Sequence, residues 1–267
     1  MHQTVRAVAL AGCTALIVVG CSKKDEATTT TLLPSASALA SSTASPGARV
    51  VKYTIDSKGK TAIDMPAPKE RIRAFTEVAG GNLDVDLADL SNTRGSIKID
   101  VAELTTKTFG TAKDADQTKH ARTWLEASDT VSAEEKEKNR WVVFAIRSID
   151  GVSAKDLAKV AAVKEGADDV RSITLTAHGD FLLHQRKADK VATLEVRLHY
   201  PSGANPAEAK PTSIEIKSKD PLRVTLAEHD VKPRDPLGKL AKDITGLVGK
   251  VADVADVTID LKATPAG

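Results

Sequence analysis

Apolar and polar residues alternate along most of the chain from Val50 onward, which is the pattern of half-buried β-strands. The clearest case is the segment 173–200. One face of its first arm carries small or apolar residues, namely Ile173, Leu175, Ala177, Gly179, Phe181 and Leu183. One face of its second arm carries Ala192, Leu194, Val196, Leu198 and Tyr200. The segment therefore predicts a β-hairpin that turns at Ala188 and Asp189 and has one apolar and one solvated face.

The same alternation predicts antiparallel strands on both sides of this hairpin. The predicted strands are 51–55, which leads into a turn at 57–59, and then 75–78, 83–87, 97–101, 141–146, 214–216, 224–226 and 257–261. A turn at residues 92–95 joins two of them. Because such strands must bury their apolar faces together, the pattern predicts a sandwich or a barrel.

Helical spacing replaces this alternation in four places. The predicted helices are 117–127, 132–138, 153–165 and 235–248. The first places Ala121, Trp124 and Leu125 on one face. Ser132 and Glu135 have the spacing of a capping box at the start of the second. These segments are helical insertions in a chain that is mainly β.

The composition excludes several classes of function. The 267 residues carry a formal net charge of +2, whereas nucleic-acid-binding proteins usually display a basic patch. Aromatic residues make up only 3% of the chain, so platforms for stacking bases or sugars are scarce. Both cysteines, Cys13 and Cys21, lie in the first apolar run, so we expect neither a disulfide nor thiol chemistry in the folded body.

The first twenty residues have the features of a bacterial export signal. A positive start that ends at Arg6 precedes an apolar run, residues 7–20, which is short for a membrane span. The run ends in Val-Val-Gly-Cys, which resembles the lipobox of bacterial lipoproteins and predicts acylation of Cys21. Leu-Ala-Gly-Cys, which ends at Cys13, matches the same pattern but leaves fewer apolar residues before it. An ordinary signal peptide with two incidental cysteines is the alternative.

Residues 21–48 are predicted to form the lipid anchor and a flexible linker. Ser, Thr, Ala and Pro dominate this stretch, and its apolar side chains are too few to offset the entropy of ordering it. The folded domain is predicted to span residues 49–264. A lipid anchor would hold this domain in the cell envelope, on the periplasmic side or at the outer membrane.

The order of these elements resembles that of YceI-like proteins. The resemblance rests on the strand 53–56, the strand–turn–strand 80–106, the helix 117–125, the hairpin motif Gly-Asp-Phe-Leu-Leu-His followed by Lys-Val at 179–191, Arg234 with Asp235, and the ending 248–263. It covers nearly the whole folded body. The chain departs from the family in its longer segments 109–139 and 153–165, in His184 where the hairpin usually has glycine, and in its few aromatic residues.

This resemblance implies an antiparallel lipocalin-like β-barrel of about eight strands that binds polyisoprenoid lipids or related long-chain amphiphiles. The implied site is an apolar cavity inside the barrel. Its candidate lining residues are Leu83, Val85, Ile97, Ile99, Leu175, Phe181, Leu194, Val196 and Leu198. The alternative is that these side chains fill a solid barrel.

A group of polar residues in the central hairpin raises a metal-binding alternative. His178, Asp180 and His184 have the same parity and would share one strand face, opposite Phe181. A metal site would need a third ligand such as His229 to converge with them. The solvated face of the sheet is the simpler interpretation.

Two further polar groups have structural interpretations. Asp84, Asp86 and Asp89 fit a solvated strand face, because the spacing of a calcium-binding EF-hand is missing. The pairs 229–230 and 234–235 fit a paired turn at the barrel rim. No phosphate-binding glycine loop, nucleophile elbow or zinc-protease motif occurs in the sequence.

The sequence therefore predicts a membrane-tethered barrel that binds a polyisoprenoid, an isoprenoid quinone or a similar lipid, without catalysis, cofactor, metal or nucleic-acid partner. A structural envelope lipoprotein, with a solid barrel and a protein partner, is the alternative. An enzyme built on His178, His184 and His229 is a third hypothesis. A cavity distinguishes the first from the second, and the positions of the histidines test the third.

Overall fold

The computed structural model of the chain describes residues 49–66, 71–232 and 253–267. The predicted signal peptide, Cys21 and the linker lie outside the described residues. So do the predicted helix 235–248 and the residues 234–235 of the predicted rim turn.

Within the described ranges, twelve strands form one antiparallel sheet. The strands are β1 (Val50–Ile55), β2 (Lys58–Met65), β3 (Ile72–Asp86), β4 (Arg94–Asp100), β5 (Thr105–Thr106), β6 (Trp141–Asp150), β7 (Val163–Glu165), β8 (Asp168–Leu183), β9 (Arg186–Pro201), β10 (Ser213–Ser218), β11 (Leu222–Thr225) and β12 (Val254–Pro265). The helices α1 (Lys113–Trp124) and α2 (Ala133–Asn139) lie between β5 and β6 in sequence.

Eight of the strands close into a barrel. The order around the ring is β2, β3, β4, β6, β8, β9, β10 and β12, and β12 pairs with β2 to complete it. The closing register places Thr61 opposite Ile259. This ring confirms the predicted antiparallel, lipocalin-like barrel of about eight strands. Ring closure satisfies the backbone hydrogen bonds of strands that would otherwise be sheet edges.

Strands β1 and β2 are two parts of one long strand. Both pair with β3 on one side and with β12 on the other, with an irregular register where they meet. The predicted turn at residues 57–59 is therefore wrong. Gly59 suggests a turn in the sequence, but it lies beneath the side chain of Leu261, which would collide with a Cβ at this position. The glycine allows close packing at a bulge.

Strands β8 and β9 form the long hairpin that the sequence predicts, but the turn lies earlier than expected. Leu183 pairs with Arg186, so the loop consists of His184 and Gln185, whose φ angles are +49° and +58°. Positive φ at both positions is the backbone of a type I′ turn, which usually contains Asn-Gly. The predicted turn at residues 188–189 is wrong, because both residues pair within the ladder.

Helices α1 and α2 occur where the sequence predicts helices. Ser132 caps α2 as expected, because its Oγ accepts the backbone N–H of Glu135 at 3.1 Å. Helix α1 begins at Lys113, earlier than predicted, and ends at Trp124.

The predicted helix 153–165 is wrong. A single 3-10 turn, Leu157–Lys159, forms in this segment, and β7 follows it. Because β7 pairs with the start of β8, its backbone groups are used in a strand ladder rather than in a helix. Leu157 still packs into the apolar core, which explains the helix-like spacing of apolar residues.

The inward faces of the ring strands make the apolar core. At one end the core contains Tyr53 and Tyr200, both fully buried. At the other end it contains Phe181, Leu183 and Val224. No helix in the described ranges is long and apolar enough to cross a membrane.

Candidate functional site

Two chambers lie inside the barrel. The large chamber has a volume of about 130 Å³ and the small chamber a volume of about 50 Å³. The large chamber lies toward the turn of the β8–β9 hairpin, where Phe181 and Leu183 line it. The small chamber lies toward the opposite end of the same hairpin, where Ile173 and Leu198 line it.

All nine predicted cavity residues line these chambers. Ile99 and Phe181 line the large chamber, and Ile97 and Leu194 line both. The others line the small chamber, namely Leu83, Val85, Leu175, Val196 and Leu198. The alternation of apolar and polar residues along the strands is sufficient to predict that these side chains face the interior of the barrel. Their contact with a ligand stays a prediction.

The walls of both chambers are almost entirely apolar. Among the described lining residues of the large chamber, the side-chain O–H and N–H groups are the hydroxyls of Thr61 and Ser218 and the indole of Trp124. The Ser218 hydroxyl already accepts the backbone N–H of Ile259 at 3.0 Å. No charged side chain lines either chamber in the described part of the chain. Such walls suit a hydrocarbon.

Helix α1 forms part of the wall of the large chamber. The helix contributes Ala121 and Trp124, and Leu125 follows directly after its end, so these are the residues of the apolar face that the sequence predicts. Two hydrogen bonds position the helix against the segment around β5. The Thr106 N–H donates to the Thr118 hydroxyl at 2.9 Å, and Arg122 Nε donates to the carbonyl of Leu104 at 2.7 Å.

The hairpin turn is held beside the large chamber by side-chain hydrogen bonds. His184 Nδ1 lies 3.0 Å from the carbonyl oxygen of His229, and its Nε2 contacts Glu126 at the end of α1. Gln185 Nε2 donates to Asn139 Oδ1 of α2 at 3.1 Å. Residues other than glycine rarely adopt positive φ without such compensation, because the conformation costs on the order of 1–3 kcal/mol.

His229 supports the chamber wall from behind. Its ring is fully buried and meets Phe181 edge to face, with ring centroids 5.3 Å apart. Its Nδ1 donates to the carbonyl of Arg186 at 3.0 Å. Burial lowers the pKa of His229, which favours the neutral imidazole. The Phe181 ring, which lines the large chamber, therefore packs against an uncharged side chain.

Gly179 makes room for an aromatic side chain of the chamber wall. A Cβ at this position would meet the carbonyl oxygen of Ala145 and would lie 2.8 Å from Cζ of Phe144. The Phe144 ring lines the large chamber. The glycine of β8 is thus required by close packing, since its φ lies outside the left-handed region.

The structure separates the residues of the metal-site hypothesis. His178 Nε2 lies 2.8 Å from Asp150 Oδ2, whereas Asp180 forms an ion pair with Arg147. The prediction that His184 shares their strand face is wrong, because His184 occupies the turn. In the ranges 49–66, 71–232 and 253–267, no group of three or more His, Cys, Asp or Glu side chains could hold a metal ion.

The predicted solvated face of aspartates is correct only in part. Asp84 pairs with the exposed Lys52 at 3.0 Å. Asp86 is buried, however, and its Oδ1 accepts the backbone N–H groups of Ala88 and Asp89 at 2.9 and 3.2 Å. The prediction is wrong for Asp86, whose carboxylate stabilises the connection between β3 and β4.

The described half of the predicted rim turn contains an ion-paired aspartate. Asp230 follows the 3-10 turn Ala227–His229 and has a φ angle of +54°. It forms ion pairs with Lys232 and, at 3.9 Å, with Arg186 of the hairpin. The turn therefore packs against the β8–β9 hairpin beside the large chamber.

The sequence predicts the strands 224–226 and 257–261, but it does not show that they and β2 build one wall of the large chamber. Its main members are Ile63, Met65, Leu222, Val224, Ala255, Val257 and Ile259. A signal was present in β2, where Thr61, Ile63 and Met65 alternate with Ala62 and Asp64. The adjacent Gly59 obscured it, because glycine between short apolar runs usually indicates a turn.

Comparison with known proteins shows a shared fold. No family model matches the chain, and no curated protein matches it. A polyisoprenoid binding domain from Saccharophagus degradans, implicated in plant cell wall breakdown, superposes with a TM-score of 0.50 and 14% identity, covering 81% of this chain and 99% of that chain. Burkholderia cenocepacia BcnA superposes with a TM-score of 0.44 and 14% identity, covering 79% and 99%.

Proposed function

We propose that the barrel binds or carries a polyisoprenoid, an isoprenoid quinone or a related amphiphile in its apolar interior, without catalysis. The observation that carries this proposal is the large chamber, which has a volume of about 130 Å³ and no charged lining residue in the described part of the chain. The Saccharophagus degradans domain of similar fold, described as polyisoprenoid binding, supports the same class of ligand.

The free energy gained by burying apolar surface determines how many carbon atoms of the tail must enter the barrel for micromolar binding. Association costs at least about 4 kcal/mol, and a micromolar complex needs about −8 kcal/mol. At about 0.8 kcal/mol for each buried methylene, about fifteen carbon atoms must leave water. An apolar cavity of about 150 Å³ holds only one benzene ring. The two chambers have volumes of about 130 and 50 Å³, so a tail of this length must displace flexible side chains such as Met65 even when it reaches both.

The proposal includes a location in the cell envelope, on the periplasmic side or at the outer membrane. The lipobox-like sequence before Cys21 supports acylation of this residue. Residues 21–48 would then connect the lipid to the barrel, which would bind its ligand at a membrane surface. A barrel near a membrane can exchange lipids with it without exposing a tail to water.

Native mass spectrometry with organic extraction tests the binding proposal. We would express the whole chain in a bacterium with a periplasm, purify it from the envelope and compare its mass before and after extraction. A co-purifying isoprenoid lipid at a ratio near one to one would support the proposal. A protein without lipid that takes up neither added quinones nor fatty acids would contradict it and favour the structural lipoprotein.

Replacement of two alanines by phenylalanine, one inside the large chamber and one outside it, tests whether the lipid binds in the chamber. Ala192→Phe places a phenyl ring in the large chamber and should abolish lipid binding. Ala62→Phe adds the same ring on β2 at a position that lines neither chamber and should leave binding unchanged. Equal lipid content in the two variants would show that the lipid binds elsewhere.

A further inference from the structure

The two chambers meet at three aliphatic side chains. Ile97 of β4, Ile146 of β6 and Leu194 of β9 are the residues that line both the large and the small chamber. All three are buried. Along the chain each shared residue lies between a residue that lines the large chamber alone and one that lines the small chamber alone, so the three mark a single level of the barrel. These flanking residues are Ile99 and Thr93, Phe144 and Ile149, and Ala192 and Val196.

Strand order shows why the interior narrows at this level. Strands β4 and β6 are neighbours, whereas β9 lies on the far side of β8. Ile97 and Ile146 therefore approach from one wall and Leu194 from another. Between them β8 contributes Gly179, which pairs with Ile146 and lies under the Phe144 ring of the large chamber. Three branched side chains thus narrow the interior of the barrel between the two chambers.

The small chamber ends at a plug of tyrosines. Tyr53 and Tyr200 are fully buried beyond it and line neither chamber. The Tyr53 hydroxyl donates to the carbonyl of Pro211 at 3.0 Å, which fixes its ring. Burial raises the pKa of both tyrosines, that of Tyr200 to about 12, so both side chains stay uncharged at neutral pH. A tail that enters from the large chamber cannot extend past this level.

We infer that Ile97, Ile146 and Leu194 form a constriction that selects the lipid by the length of its apolar tail. Once flexible wall side chains such as Met65 move aside, a tail of about two isoprene units fits the large chamber, and a third unit must pass the constriction into the small chamber. The tyrosine plug stops further units. This inference rests on the proposed function, because it assigns chain-length selection to the same cavity.

Binding of three prenyl alcohols to the purified whole chain tests the constriction. Geraniol, farnesol and geranylgeraniol contain two, three and four isoprene units. Complete burial of a further unit would raise the affinity about a thousandfold, since each methylene contributes about fourfold. We expect farnesol to bind the wild type at least about tenfold more tightly than geraniol, and geranylgeraniol to gain nothing over farnesol.

Substitutions of Leu194 should change this selection in opposite directions. Leu194→Phe closes the passage, so the affinity ratio of farnesol to geraniol should fall to about one. Leu194→Ala widens it, so the ratio should rise by about tenfold. Ile146→Val, a milder change, should raise the ratio less and gives a result if Leu194→Ala does not fold. Leu261→Ala removes a buried side chain that lines neither chamber and should leave the ratio unchanged.

The outcomes separate the constriction from the proposed function. If the wild type binds none of the three alcohols, the proposed function fails and the constriction with it. If the alcohols bind but the ratio stays the same in Leu194→Phe, Leu194→Ala and Ile146→Val, the constriction is refuted while lipid binding stands. A ratio that changes equally in Leu261→Ala would also refute it, because that residue lies outside both chambers.

Discussion

His184 Nε2 lies 2.7 Å from Glu126 Oε2, which joins the turn of the β8–β9 hairpin to the end of helix α1. His184 Nδ1 faces the carbonyl of His229 at 3.0 Å. The two ring nitrogens of His184 therefore contact two different segments of the chain. This contact connects three elements that border the large chamber.

Removal of the His184 side chain should destabilise the barrel. His184→Ala loses both hydrogen bonds but keeps the positive φ of +49°, so we expect the free energy of unfolding to fall by about 1–3 kcal/mol. His184→Gly loses the same bonds but relieves the backbone strain, and it should lose about 1 kcal/mol less. Urea unfolding of both variants measures the difference.

The control for this prediction is an exposed pair of the same chemistry. His178 contacts Asp150 at 2.8 Å with about a third of its side chain exposed. His178→Ala should cost at most about 1 kcal/mol, since exposed ion pairs contribute little. A glycine variant at position 184 that is less stable than the alanine variant would contradict the argument from backbone strain.

Gly179→Ala should destabilise the barrel and reduce the large chamber. The new Cβ would meet the Ala145 carbonyl and push the Phe144 ring toward the chamber. Overpacking of this kind costs about 1–3 kcal/mol. Gly80→Ala in β3 is the matched control, because nothing lies within 4 Å of its added Cβ. Equal melting temperatures of the two variants would refute the packing role of Gly179.

Stability should decrease on acidification through the protonation of His229. Burial lowers the pKa of this histidine in the fold, whereas in the unfolded chain it takes up a proton near pH 6.5. The unfolded state therefore binds more protons below that pH. The stability that the neutral His229 contributes is complete above about pH 6.5 and is lost as the pH falls from there toward the pKa of His229 in the fold. Over this range the free energy of unfolding falls by at most about 1.4 kcal/mol per pH unit.

The variant His229→Gln tests the source of this pH dependence. It lacks the titrating group, so its free energy of unfolding should fall less than that of the wild type between pH 7 and pH 5. Above pH 7.5 the two curves should run parallel. Parallel curves over the whole range would show that another group is responsible.

Cys21→Ser should release the protein from membranes while the barrel stays folded. The predicted lipid attaches to this sulfur, so the substitution removes the membrane anchor that the sequence predicts. Fractionation of cells with a circular dichroism spectrum of the released protein measures both properties. Cys13→Ser is the matched control and should remain in the membrane fraction. The opposite result for the two variants would move the acylation site to Cys13.

Local alternation along the chain is sufficient to predict the barrel strands and the inward faces. Leu175, Phe181 and Leu194 line the chambers because side chains of a strand point alternately to its two faces, and this property depends only on neighbouring residues. The capping of α2 by Ser132 is local for the same reason. Strand alternation and helix caps could therefore be predicted from the sequence.

The tertiary structure alone decided the features that depend on distant residues. The hairpin turns at His184 rather than at 188–189 because Glu126 and His229, far away in sequence, stabilise a backbone that local preferences disfavour. Gly59 lies in a strand because Leu261 packs over it. The alternation of side chains along a strand predicts which residues face the interior of the barrel. The volume of the cavity inside it depends on how the side chains of all eight strands pack together. The two chambers and the constriction between them are therefore properties of packing.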